Sequence, residues 1–223
     1  MASWKKYLAE GIGTFILIFI GAGSIMAYET IGELDIVGVA AAHGLAIMIG
    51  VFAFGVISGA HFNPAVTIGL WAMKKVKTQD VPGYLVSQLL GASLGALILK
   101  VIFADTLATG MGIPGLGAGV TPLSGTIAEA VLTFLLVWTI FAVAVDQDNK
   151  ASMHAGLIIG GVIAADILVG GPLTGAAMNP ARWFGPALIA NNWSNWYVYL
   201  VGPLVGSLLA ATTYTAVYLK GNK

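Results

Sequence analysis

The chain has 223 residues, of which 58% are hydrophobic and only 9% are charged. Soluble domains usually carry about a quarter charged residues, so most of this surface must face something other than water. The ten basic residues balance the ten acidic ones, which gives no electrostatic case for binding nucleic acid, and the lack of cysteine excludes disulfides and thiolate metal sites. The three histidines show no spacing that fits a metal site on one helix.

Six segments are apolar enough to cross the roughly 30 Å hydrocarbon core of a bilayer, although the fifth is short. They lie at about 8–28, 36–57, 82–104, 124–145, 153–170 and 196–219. The first follows Lys5 and Lys6 and in that respect looks like a signal peptide. Because it is long for one and further spans follow, we interpret it as a retained span.

Two further apolar stretches, at about 65–73 and 181–190, are too short to cross. At 1.5 Å per residue each covers only about half of the core. Both start at an Asn-Pro-Ala triplet, made of Asn63, Pro64 and Ala65 in the first and of Asn179, Pro180 and Ala181 in the second. Asn is a favourable N-cap and Pro is favoured at the first helical position, so each triplet predicts the start of a half-helix.

The chain repeats itself, which predicts one domain over 1–223 built from a repeat at about 1–110 and another at about 120–223. Three pairs of segments match in order: residues 9–11 with 128–130, the two triplets, and YLVSQLLG (84–91) with YLVGPLVG (199–206). Each half holds three spans, an odd number, so the second half enters the membrane from the opposite side. This is an inverted repeat, and it would bring the two half-helix N-termini together near the midplane.

Positive charge predicts the orientation of the spans. With the N-terminus inside, eight of the ten basic residues fall on cytoplasmic segments. These are Lys5, Lys6, Lys74, Lys75, Lys77, Lys150, Lys220 and Lys223. The positive-inside rule therefore predicts a multi-pass protein with both termini in the cytoplasm.

The segments SGAHFNPAVT (58–67) and GAAMNPARWFGPA (175–187) resemble the two signature loops of the aquaporin, or major intrinsic protein, family. The resemblance covers essentially the whole chain. It implies an all-α membrane protein with six transmembrane helices, two re-entrant half-helices and a pore in each subunit of a homotetramer. It further implies passive conduction of water or small neutral solutes, with no cofactor and no enzymatic activity. The expected location is the cell membrane, although an intracellular membrane stays open.

Arg182 lies within the first turn of the second half-helix, where a cation opposes the helix dipole and where charge is rare without a function. It either forms a constriction that repels cations or reaches out to the interface. The resemblance places it in a selectivity filter with His43, Ile167 and Ala176. This set is similar to that of plant tonoplast intrinsic proteins. The resemblance implies conduction of water plus ammonia, and sometimes of urea or peroxide. A core histidine bonded to a carbonyl remains the alternative for His43.

Two intramembrane carboxylates, Glu10 and Glu129, occupy equivalent places in the two halves. Buried charges are costly unless hydrogen-bonded or neutralised, so the pair serves either as acceptors for the re-entrant loops or as a proton relay. The duplication favours loop support, because each half has one loop to hold. We expect His61 to brace the first loop as well. Asp166 could bond an outer loop or offset Arg182, and the sequence does not separate the two.

The resemblance, together with the residues that carry it, therefore implies a passive channel for water and small neutral solutes such as ammonia that excludes protons and ions. A glycerol or urea facilitator of the same family is the first alternative. A proton-coupled secondary transporter, which would use Glu10 or Glu129, is the second, because such transporters also have inverted repeats and broken helices. No acid completes a nucleophilic triad with the histidines, so an intramembrane enzyme has no support.

Overall fold

The computed structural model describes residues 2–32, 35–104, 110–146 and 148–219, and this part of the chain is helical without a β-strand. Six helices are long and apolar enough to span a membrane. We name them spans 1 to 6: Ser3–Thr30, Ile36–Ser58, Thr78–Ile102, Pro122–Val145, Lys150–Thr174 and Val198–Leu219. Two short helices, Pro64–Ala72 and Pro180–Ala190, are the first and second half-helix. The predicted fold is confirmed.

Span 5 is longer than the sequence indicates. The prediction ends it at residue 170, before a Gly-Gly-Pro that resembles a turn, but the helix continues to Thr174. Pro172 lacks an N–H and so removes one helical hydrogen bond. The last turn survives because the Gly175 N–H bonds the Gly171 carbonyl at 2.9 Å, and Gly175 then leaves the helix with a left-handed φ of 78°.

Span 1 contains a wide turn that the sequence does not reveal. Residues Ile18–Ala22 form a π-helical turn, in which the Gly23 N–H reaches the Ile18 carbonyl five residues back. Single π turns of this kind interrupt α-helices mostly at functional sites. Similar π turns end spans 4 and 6, at Phe141–Val145 and Thr215–Leu219.

The packing of the spans is the same in the two halves of the duplication. Span 1 packs along span 3 and span 4 along span 6, while spans 2 and 5 pack together across the two halves. Glycines allow these close approaches, as expected between membrane helices. At the crossing of spans 2 and 5, a Cβ placed on Gly44 would lie 2.6 Å from the Gly160 carbonyl oxygen.

Each half-helix packs against the third span of the other half. The first half-helix lies on span 6, where the Ser207 hydroxyl donates to the Ala65 carbonyl at 2.6 Å. The second half-helix lies on span 3, where a Cβ on Gly185 would lie 2.5 Å from the Ala92 carbonyl oxygen. The two halves are therefore interlocked rather than merely adjacent.

The outward faces of the spans are apolar and exposed, as at Leu90, Val101 and Leu135. Apolar area of this extent on a soluble monomer is rare, and it fits contact with lipid. Lys220 and Lys223, which entered the prediction of orientation, lie outside the described residues.

Candidate functional site

The two re-entrant loops, residues 59–62 and 175–178, have the same unusual backbone. In each, the first, second and fourth residues have left-handed φ angles: Gly59 (90°), Ala60 (52°) and Phe62 (51°), then Gly175 (78°), Ala176 (45°) and Met178 (52°). A non-glycine residue in such a conformation costs roughly 1–3 kcal/mol, so the surroundings must hold both loops in place.

Glu10 of span 1 holds the first loop and is completely buried. One carboxylate oxygen accepts from the Ser58 hydroxyl (2.6 Å) and the His61 backbone N–H (3.0 Å). The other accepts from the Phe62 backbone N–H (2.7 Å) and the Gln88 side-chain amide (2.8 Å). The loop N–H groups that would otherwise be unpaired in the membrane are thereby satisfied.

Glu129 of span 4 holds the second loop in the same way and is also completely buried. It accepts from the Thr174 hydroxyl (2.7 Å) and from the backbone N–H groups of Ala177 (2.9 Å) and Met178 (2.7 Å). The third-span position that holds glutamine in the first half is Pro203 in the second, so this site has one donor fewer.

The two triplets begin the half-helices with matching geometry. Asn63 and Asn179 are both extended, and each side-chain oxygen accepts from the backbone N–H two residues later at 2.9 Å. Pro64 and Pro180 occupy the first helical positions, where a missing N–H leaves no bond unmade.

Each triplet asparagine also bonds the loop of the other half. The Asn63 amide donates to the Met178 carbonyl at 2.8 Å, and the Asn179 amide donates to the Phe62 carbonyl at 2.9 Å. The two half-helix N-termini therefore meet inside the protein. Since a side-chain amide has two N–H groups, each asparagine keeps one for another acceptor.

Arg182 is buried, with 2% of its surface exposed, and has two acceptors. Its Nε–H donates to His43 Nε2 at 3.2 Å, and Nη1 donates to the Gly112 carbonyl at 2.8 Å. His43 Nδ1 lies 2.9 Å from the Val39 carbonyl. Because a carbonyl only accepts and an arginine only donates, the imidazole is neutral with its proton on Nδ1. Nη2 of Arg182 makes no hydrogen bond among the described residues.

A cavity of about 610 Å³ joins these groups. Asn63, Asn179 and His61 line it, and isoleucines form part of its wall. All four residues of the predicted filter line it: His43, Ile167, Ala176 and Arg182. Its described lining includes Lys75 but no carboxylate. Glu10 and Glu129 are therefore not part of the cavity lining and contact the loops from outside it.

His61 contacts the first half-helix as well as lining the cavity. Its Nδ1 lies 3.1 Å from the Thr67 hydroxyl, and its ring centroid lies 4.9 Å from that of Tyr84. Asp166 stands apart from this arrangement. It is buried, its Oδ2 has no hydrogen-bond partner, and no bond joins it to Arg182 or an outer loop within the described ranges.

The family model of the major intrinsic proteins matches residues 1–214. The chain belongs to the major intrinsic protein family. Aquaporin TIP4-4 of Zea mays is 42% identical over 96% of this chain and 87% of its own length, and probable aquaporin TIP2-1 of Oryza sativa subsp. japonica is 42% identical over 97% and 89%. The crystal structure of the aquaglyceroporin from Plasmodium falciparum superimposes with a TM-score of 0.91, at 26% identity over 97% of both chains.

Membership in the major intrinsic proteins confirms the resemblance seen in the sequence. The chain is an aquaporin-type, multi-pass membrane protein, and the family is one of channels rather than enzymes. The TIP-type relatives agree with the similarity to tonoplast intrinsic proteins.

Several residues that hold the loops of this major intrinsic protein were not predicted from its sequence. The Tyr84 hydroxyl donates to the Ser58 carbonyl at 2.6 Å, and the Tyr199 hydroxyl donates to the Thr174 carbonyl at 3.0 Å. The repeat alignment already pairs the two tyrosines, so a signal existed. Gly112 gives no such signal, because it acts through its backbone carbonyl.

Proposed function

We propose that the cavity is a passive pore for water and small neutral solutes such as ammonia, and that it excludes protons and ions. The observation that carries this proposal is the character of the lining. It combines the amides of Asn63 and Asn179, the cation of Arg182 and apolar walls, with no carboxylate among the described lining residues. Such a surface binds oxygen and nitrogen lone pairs but repels cations.

The two asparagines support the exclusion of protons. Each keeps one N–H for the pore, and the positive ends of both half-helices converge there. A water molecule between two donors must turn its oxygen towards them and its hydrogens away from them. A chain of waters oriented in this way cannot pass a proton through the midplane.

The filter residues support passage of more than water. Ile167 and Ala176 give no polar contact at the constriction, and both ring nitrogens of His43 are already bonded to Val39 and Arg182. The remaining N–H groups of Arg182, including those of Nη2, are therefore the donors there. A small neutral molecule with a lone pair, such as ammonia, can replace a water at such donors.

The glutamates support a channel over a proton-coupled transporter. Both oxygens of Glu10 and of Glu129 accept hydrogen bonds from the re-entrant loops, and neither residue lines the cavity. We assign both, together with His61, to loop support. A transporter would need a titratable group in contact with its substrate.

Glycerol or urea conduction is a second candidate, favoured by one comparison. The structure that superimposes at a TM-score of 0.91 is an aquaglyceroporin. Ala176 has a small side chain and Ile167 makes no polar contact, which suits a solute larger and less polar than water.

The oligomeric state and the membrane location of the protein are inferred from its family. We propose one channel domain per chain, a homotetramer, and insertion in the cell membrane with both termini cytoplasmic. The TIP-type relatives make an intracellular membrane the alternative location.

Proteoliposomes test the function directly. An osmotic step should produce fast shrinkage with a low activation energy, and an acid-base gradient should drive no proton current. Isotonic steps of glycerol, urea and ammonia then rank the solutes. Water permeability equal to that of protein-free liposomes would refute the proposal, and solute accumulation driven by a pH gradient would establish a transporter.

A further inference from the structure

The π turn of span 1, residues Ile18–Ala22, lies against the groups that hold Arg182. It contains Gly21 and Ala22, and Gly23 follows, so three small residues stand in sequence and all are buried. They approach three different elements: His43 of span 2, the loop at Gly112, and Leu99 of span 3. A wide turn of small residues lets one helix touch all three.

Gly21 has no room for a side chain because the His43 ring occupies the space. A Cβ placed there would lie 2.5 Å from Cδ2 and 2.6 Å from Nε2 of His43. Nε2 is the atom that accepts from Arg182. The bare backbone of Gly21 thus sets how far the imidazole can move away from the cavity.

Ala22 supports the second acceptor in the same way. Gly112 has a left-handed φ of 62°, and a Cβ on it would lie 2.8 Å from the Ala22 carbonyl oxygen and 3.0 Å from the Ala22 Cα. The Gly112 carbonyl accepts from Nη1 of Arg182. Both known acceptors of the guanidinium therefore rest on consecutive residues of one turn.

Among its described residues, the second half has no equivalent of this support. In the register that aligns Glu10 with Glu129, Gly21 corresponds to Ile140, which lines the cavity. The nearest π turn in that half begins only at Phe141. The support is thus one-sided, as is Arg182, whose counterpart in the first half is Val66.

We propose that the π turn of span 1 positions the filter arginine, and that Gly21 is a specificity-determining residue acting through His43. The inference rests on the proposed pore function. An added methyl group at residue 21 pushes the imidazole into the cavity, which narrows the constriction and weakens its bond to Arg182.

A double-mutant cycle in proteoliposomes tests this coupling. Gly21→Ala should lower urea permeability relative to water permeability by about fivefold, an effect typical of residues in direct contact. In a His43→Ala background the same change should leave the ratio within about twofold, because the ring it displaces is gone. Gly161→Ala is the matched control, since Gly161 is helical, exposed and has open space around it.

Melting temperatures in detergent give a second readout that needs no conduction. Gly21→Ala should lower the melting temperature in the wild-type background and not in His43→Ala. If Gly21→Ala fails to fold, recovery of folding in the double variant supports the proposal. An equal loss in both backgrounds, or a double variant that also fails to fold, overturns it. A wild-type protein that conducts nothing refutes the pore function instead, and the melting cycle still decides this inference.

Discussion

Arg182 is a buried cation that is held by neutral acceptors. No carboxylate pairs with it among the described residues, and its partners are an imidazole nitrogen and a backbone carbonyl. Neither partner neutralises the charge, so its field reaches the cavity. An ion pair at this position would have bonded the guanidinium equally well but cancelled that field.

Arg182→Ala should therefore open the pore to cations. Removal of even about 1.4 kcal/mol of repulsion raises a crossing rate by about tenfold. We expect a sodium leak at least that much larger, together with higher urea permeability. The measurement is ion flux into proteoliposomes under a fixed gradient. Lys100→Ala is the control, since Lys100 is exposed and does not line the cavity, and an unchanged leak in Arg182→Ala would contradict the role of its charge.

Neutralising the buried carboxylates Glu129 and Asp166 should affect the stability of the protein differently. In Glu129→Gln, an amide group replaces an oxygen that accepts from backbone N–H groups, so at least one buried donor loses its partner at a cost of about 1–3 kcal/mol. Asp166→Asn removes a buried carboxylate whose Oδ2 has no partner among the described residues, and it should leave the stability unchanged or raise it. Thermal unfolding in detergent measures both, and a larger loss in Asp166→Asn would show that its carboxylate is bound.

Some of these residues could be predicted from the sequence and others could not. Glu10 and Glu129 were predictable because the duplication places them at equivalent positions, and Arg182 because charge is rare at membrane depth. The acceptor at Gly112 was not predictable, since any residue type supplies a backbone carbonyl. The lack of a partner for Asp166 Oδ2 among the described residues depends on which side of span 5 the side chain faces, and the hydropathy of a uniformly apolar helix does not indicate a face.

At the scale of helices, the contacts between spans depend on glycine at a few crossings. Spans 2 and 5 approach so closely that the Gly44 and Gly160 backbones touch. In a bilayer, apolar side chains gain little by leaving lipid for one another, so such close packing supplies much of the association.

Gly44→Ala should push spans 2 and 5 apart. The new Cβ would lie 2.6 Å from the Gly160 carbonyl oxygen, and overpacking of this kind typically costs about 1–3 kcal/mol. Gly55→Ala on the same span is the control, because a Cβ there would meet no described atom within 4 Å apart from the backbone of its own helix and its neighbours in the chain. Melting in detergent should show a loss for residue 44 alone, and equal melting of the two variants would exclude a tight crossing.

Helix number and order followed from hydropathy, and helix ends did not. The Gly-Gly-Pro at residues 170–172 suggests a turn, yet span 5 continues because the last turn still closes around the proline. The π turn of span 1 has the same apolar residues as its flanks, so neither composition nor periodicity distinguishes it. Such irregular turns and helix ends depend on contacts with neighbouring helices, and the sequence does not show which helices are neighbours.

For the whole molecule, the duplication predicts two similar halves but not how they are interlocked. Each half-helix packs on the third span of the other half, and each triplet asparagine bonds the other loop. The repeat alignment fits equally well with half-helices that stay within their own half. Only the three-dimensional arrangement decides between them.

The interlocked arrangement predicts that neither half is stable alone. Fragments 1–119 and 120–223 should copurify when they are co-expressed with a tag on one of them. The complex should conduct the same solutes as the intact protein. Either fragment by itself should aggregate or be degraded, because its half-helix lacks the span it packs on. A monodisperse single fragment would contradict the prediction.

The bond between Asn63 and the Met178 carbonyl also has a consequence in time. The two residues are 115 positions apart, so the acceptor is synthesised well after the donor. At about 5–20 residues per second the ribosome needs on the order of ten seconds to bridge that gap. Glu10 belongs to the first half and can secure its loop at once, while the amide of Asn63 must wait. Insertion of the first re-entrant loop is therefore begun early in translation and completed only when the second loop arrives.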